Sequence, residues 1–134
     1  MDSEAPVTAG SPWAHVRQRQ GDGWEKPDAA TDEHLHLMVQ VMEAWFLADR
    51  EALRDFCGNG FQESALPAAT APIEAVGKPD LYAKLQKATA DTKTKGAYGK
   101  GSHSFKVLAT LDPELVRKAS PWAERFFVAL DKLM

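Results

Sequence analysis

Two carboxylates one residue apart, Asp2 and Glu4, stand near the start of the sequence. In an extended segment residues i and i+2 point to the same face, so this pair could share one divalent cation through oxygen ligands. An unstructured acidic start is the plainer alternative, because chain ends are usually loose. A third carboxylate, Glu43, follows the apolar run that begins at Leu35. A strand running into a helix start there would set an acid at the edge of a sheet. A simple helix cap explains the same residue, since the helix dipole favours negative charge at an N-terminus. The third candidate group is basic. Six lysines lie between Lys84 and Lys106 against one acid, Asp91, with Tyr98, His103 and Phe105 among them. Gly96, Gly99 and Gly101 leave backbone N–H groups free in the same stretch. Lys93, Lys95, Lys100 and His103 therefore suit contact with a phosphate backbone, and a solvated lysine loop accounts for them as well. Cys57, beside Phe56 and with no histidine near it in sequence, reads as a buried, inert thiol.

The elements that must position these groups follow from periodicity. Leu35, Leu37, Val39 and Val41 alternate with more polar neighbours, the period of a half-buried strand. Behind Glu43 the block Ala44-Trp45-Phe46-Leu47-Ala48 is apolar throughout, and Asp49 suits the cap of a helix over 50–57 that Gly58 ends. Helix starts are expected at Pro12, Pro79, Pro113 and Pro121, three of them directly behind Ser or Asp. The first of these helices should run to Gln20 and stop at Gly21-Asp22-Gly23. Residues 24–33 and 61–77 read as irregular connections. A helix capped by Ser102 or Ser104 should bury Phe105, Leu108 and Leu111. In the last helix Trp122, Phe126 and Leu130 form a core-facing stripe, with Phe127 and Leu133 alongside. The expected whole is an α/β domain over residues 1–134, rich in helix. Its small parallel sheet would use residues 1–3 and 35–42, flanked by five or six short helices.

The chain has 134 residues, of which 44% are hydrophobic and 26% charged, enough for one domain with a core. Its formal net charge of −3 creates no global pull toward nucleic acid or membrane. The charge is divided: residues 1–64 carry twelve acids and five bases, residues 65–134 seven acids and eleven bases. An acidic half beside a basic half suits a site holding a metal on one side and phosphates on the other, and equally an ordinary domain with attracting halves. One cysteine excludes a disulfide framework. No run approaches the roughly 18 apolar residues of a membrane span. With no signal-peptide pattern at the start, a cytoplasmic location is expected.

Three stretches, DSEAPV, HLMVQVMEAWFLAD and KGSHSFKVLATLDPELVRKASPWAERFF, together closely resemble the bacterial domain-of-unknown-function family numbered 4276. The likeness spans nearly the whole chain and matches the C-terminal part of that family, without the front portion whose first strand ends near a glutamate. The family is in turn remotely similar to the Toprim fold of topoisomerases and primases. That likeness implies a truncated Toprim-like domain that binds magnesium and assists cleavage of phosphodiester bonds in nucleic acid, in a bacterial defence context. Carried over, the metal-binding acidic pair falls on Asp2 and Glu4, and Glu43 matches a catalytic carboxylate placed after the next strand. The first glutamate of the Toprim set has no counterpart here. Members of the family also resemble small companions of ATPases. This implies an alternative, a non-catalytic partner subunit with Trp13, Trp24 and Trp45 serving an interface, or an inactive truncated fragment.

Overall fold

The computed structural model describes residues 1–19 and 23–134. Among the described residues six α-helices follow one another: α1 Pro12–Gln18, α2 Arg50–Cys57, α3 Lys78–Thr89, α4 Lys100–Leu108, α5 Pro113–Ala119 and α6 Pro121–Leu133. The four proline-marked starts lie where the capping pattern puts them. Ser11, Asp112 and Ser120 each accept a backbone N–H of the first turn, and α3 carries Pro79 just inside its start. Helix α1 ends at Gln18; the stop expected at Gly21 and Asp22, and the residue Gln20 before it, lie outside the described residues.

The centre of the molecule is the 3-10 segment Met42–Ala48, in which six of seven residues are buried. Such tight turns rarely run beyond three or four residues. This one is apolar apart from Glu43 and has neighbours on both sides. Its Phe46 and Leu47, with Val41, pack against Leu53 and Cys57 of α2, Leu81, Leu85 and Ala88 of α3, and Val107 of α4. On the other side Trp45 meets Val116 of α5 and Ala123 of α6. A smaller cluster joins Val16 of α1 to Leu35, Leu37 and Val39. The odd-numbered alternation before Glu43 is therefore a buried face, as its period requires.

The expected sheet does not form. Among the described residues there is no strand, only an isolated parallel bridge between Asp2 and Met38. Residues 35, 37, 39 and 41 are buried, and the chain from Asp2 pairs with this run only briefly. Ser3 N–H donates to Met38 O at 3.1 Å, and Met38 N–H to Met1 O at 2.9 Å. Glu4 then takes a left-handed φ of 67°, which turns the chain away, and Pro6 has no N–H to continue a ladder. An α/β architecture with a parallel sheet remnant is thus replaced by short helices and tight turns around one central 3-10 segment.

Two helix faces also differ from the expected pattern. Helix α4 begins at Lys100, before either serine, and its N-cap Gly99 makes no side-chain cap bond. The helix turns Ser104 and Val107 to the core, while Phe105, expected to be buried, is 75% exposed. In α6 only Ala123 is fully buried. Trp122, Phe126, Phe127 and Leu130 are half-buried, and Leu133 is exposed. Polar contacts also hold this helix. Arg117 of α5 bonds Glu124 at 2.6 Å and Asp131 at 3.2 Å, Glu74 accepts the Ser120 hydroxyl and the Trp122 N–H, and Arg125 donates to Leu35 O at 2.9 Å.

Asp49 joins two helix starts. One carboxylate oxygen accepts Ala52 N–H at 3.1 Å and caps α2; the other accepts Asp112 N–H at 2.9 Å, just before α5. Replacing Asp49 by Ala should destabilise the fold by about 2 kcal/mol, and Asp49→Asn by less. Urea unfolding followed by circular dichroism measures both; equal stability of the Ala variant and the parent would contradict this role.

Candidate functional site

Glu43 lies in the first turn of the central 3-10 segment, and no part of its side chain reaches solvent. A carboxylate so placed must find donors inside the protein, because the cost of desolvating an unpaired charge is prohibitive. It finds three. Tyr98 donates its hydroxyl to Oε2 at 2.9 Å, Tyr82 donates to Oε1 at 3.3 Å, and the Lys100 ammonium stands 3.7 Å from Oε2. The two tyrosines are all that the chain contains. Lys100 also donates to the Tyr82 hydroxyl at 2.7 Å, so cation, phenol and carboxylate form one chain of hydrogen bonds.

Each donor is itself held in place. Tyr98 is fixed through its backbone: its N–H donates to Thr89 Oγ1 at 2.7 Å, and Gln86 Nε2 donates to its carbonyl. Thr92 bridges Thr89 O and Gly96 O at 2.8 Å each, closing the loop that carries Tyr98. Gly96 has a φ of 71° there, a conformation that suits glycine. The Tyr98 ring stacks edge-on against Phe46. Tyr82 comes from α3, and both Lys78 and Lys100 lie over its ring, at 6.0 and 5.3 Å from the centroid. Burial, then the charge of Glu43 and its hydrogen bond, push the Tyr98 hydroxyl well above the ordinary tyrosine value. The Lys100 ammonium is raised by its bond to Tyr82 and by the charges of Glu43 and Asp2.

Asp2 is brought close to this group but is used differently. Its Oδ1 accepts the N–H of Met42 at 2.8 Å and so caps the central segment, whose own N-cap residue Val41 has no side-chain acceptor. Burial raises its carboxyl above the usual range, helped by the charges of Glu43 and Glu4 and opposed by the Met42 N–H and Lys100. Glu4 is turned outward to Lys78, with 2.8 Å between the charged atoms. Asp2 and Lys100 line one cleft of about 400 Å³ with Met38, Met42, Ser104 and the exposed Phe105.

Among the described residues no three His, Cys, Asp or Glu side chains are grouped to hold a metal ion. Magnesium keeps several waters in a tight octahedral shell, whereas Glu43 is sealed from water and both its oxygens already have donors. Of the basic candidates, Lys100 belongs to the Glu43 group. Lys95 lies over the Phe56 ring at 4.8 Å, and His103 meets the same ring at 6.0 Å, its Nδ1 accepting Gly99 N–H at 2.9 Å. Lys93 is exposed and only its backbone is tied, to Asn59 O at 3.0 Å. Of the tryptophans weighed for an interface, Trp45 is buried and Trp24 is 49% exposed; Trp13 donates to Thr31 O at 2.8 Å.

Tyr82 and Lys78 have no counterpart among the residues that sequence spacing singles out, and Tyr98 enters there only as an aromatic among the lysines. They reach the site across long separations, and a tyrosine in a helix face or a loop carries no local mark of its distant acceptor. The one available signal is that Glu43, an acid inside an otherwise apolar block, needs donors from elsewhere.

Tyr98 and Lys100 hold their protons more tightly in the folded chain. The stability they contribute is therefore complete below their unfolded values, about 10 and 10.4, and is lost as the pH rises through the folded ones. In a Tyr82→Phe variant, where Tyr98 is the only tyrosine left, phenolate absorbance should appear in alkali only as the circular dichroism of the fold disappears. A phenolate forming near pH ~10 with the fold intact would refute the Glu43–Tyr98 bond.

The family model described as a domain of unknown function, DUF4276, matches residues 1–131, and the chain belongs to that family. No curated protein and no solved structure matches it. Among the described residues no helix is long and apolar enough to cross a membrane.

Proposed function

We propose that this member of the DUF4276 family is a non-catalytic binding subunit that receives a segment of a partner protein in the cleft between Asp2 and α4. The observation that carries this reading is the state of Glu43. Both of its oxygens are bonded to tyrosine hydroxyls and it is closed to water. A carboxylate so enclosed organises the fold and has no free face for a substrate. What remains open beside it is the cleft of about 400 Å³, with two methionines in its wall and Phe105 at its rim. Methionine side chains adapt to irregular apolar partners, and a phenylalanine left 75% exposed is the kind of anchor that interfaces bury. Helix α4 carries Lys100 and Lys106 and no acid, so the complementary segment has an apolar side chain flanked by carboxylates. An ATPase subunit is the partner class that the family resemblance implies.

Co-expressed with a candidate ATPase from the same genome, the chain should co-elute with it in size-exclusion chromatography. Phe105→Asp should weaken the complex about tenfold or more and leave the circular dichroism unchanged. Magnesium-dependent cleavage of plasmid or tRNA by the parent chain, lost in Asp2→Ala, would overturn this reading.

A second reading, phosphate-backbone contact, is favoured by Lys95 and His103 meeting on Phe56 with Lys93 exposed nearby. If these groups bind nucleic acid, a labelled oligonucleotide should bind with strong salt dependence. Charge removal at Lys93 or Lys95 should then flatten the slope by about one each; binding that does not respond to salt would exclude it.

A further inference from the structure

Two of the acids near the cleft already have an ammonium beside them. Glu4 is paired with Lys78 at 2.8 Å, and Glu43 stands 3.7 Å from Lys100. Lys100 also lines the same cleft as Asp2. The two ammonium groups flank one ring, that of Tyr82. Together they bring the same positive charge as one divalent cation, and they are covalently part of the chain. They differ from a metal in geometry. An ammonium donates up to three hydrogen bonds and tolerates acceptors at hydrogen-bond distance, so it can serve the sealed Glu43 from one side and the Tyr82 hydroxyl from another. A hydrated magnesium ion cannot reach a carboxylate that has no exposed surface.

We infer that Lys78 and Lys100 are resident counter-ions of this acidic cluster and that they exclude divalent cations from it. The inference concerns metal binding by the folded chain. It stands or falls separately from partner docking, since Phe105 takes no part in it and the titration uses the metal alone.

Manganese is the probe, titrated calorimetrically and by thermal unfolding at constant ionic strength. The parent chain should show no saturable heat and no manganese-dependent rise in melting temperature. Lys100→Met, and the double variant with Lys78→Met, should acquire saturable manganese binding at least about tenfold tighter than the parent, with a melting temperature that rises with the metal. Adding Asp2→Asn should remove the gain. Lys100→Arg, which keeps the charge, should behave as the parent. Saturable manganese binding by the parent that Asp2→Asn or Glu4→Gln abolishes would overturn the inference, and this result needs no lysine variant to fold. Folded Lys100→Met and double variants no more responsive to manganese than the parent would overturn it as well.

Discussion

A carboxylate placed in the middle of an apolar block is the constraint that the rest of this molecule answers. Glu43 sits among Met42, Ala44, Trp45 and Phe46, all buried, and its charge must be met from within. The groups that meet it come from α3, from the loop after it and from the first residue of α4. These contacts fix where those three pieces lie over the central segment, while the apolar contacts of Leu81, Leu85 and Val107 supply most of the area removed from water. The polar centre selects one arrangement from the many that a greasy core alone would tolerate.

The outer helices are fastened differently. Helix α6 sets Phe126 and Phe127 against Trp45, and it is anchored at its start by Glu74 and Ser120, along its length by Arg117, and at Arg125 by the carbonyl of Leu35. Asp49 ties the beginning of α2 to the residue that opens α5. Among the described residues two ion pairs join the acidic and basic halves of the chain, Glu4 with Lys78 and Glu43 with Lys100.

Local signals in the sequence carried far. The helix starts at Pro12, Pro113 and Pro121 are legible because cap and proline act within one turn, and the burial of Leu35, Leu37, Val39 and Val41 because alternation is a property of neighbours. What neighbours do not determine was lost. Whether an alternating run becomes a strand depends on a partner, and the partner here is turned away at Glu4. The face that α4 buries depends on what packs against it: Ser104 and Val107 turn to the core and Phe105 to the surface. At the site, Glu43 was legible as an acid out of place. Its partners Tyr98 and Lys100, 55 and 57 positions away, were legible only as an aromatic and a lysine in a basic loop.

Those separations bear on the order in which the chain acquires its structure. Helix α2 and its cap at Asp49 can form from adjacent residues. The central segment cannot complete its burial so early, because Glu43 must keep its hydration until residues from the last third of the chain arrive. Contacts over such distances carry a loop-closure entropy that local helix contacts do not. The carboxylate therefore acts as a latch on collapse: the apolar block around it closes only together with the tyrosines and the lysine that replace its water.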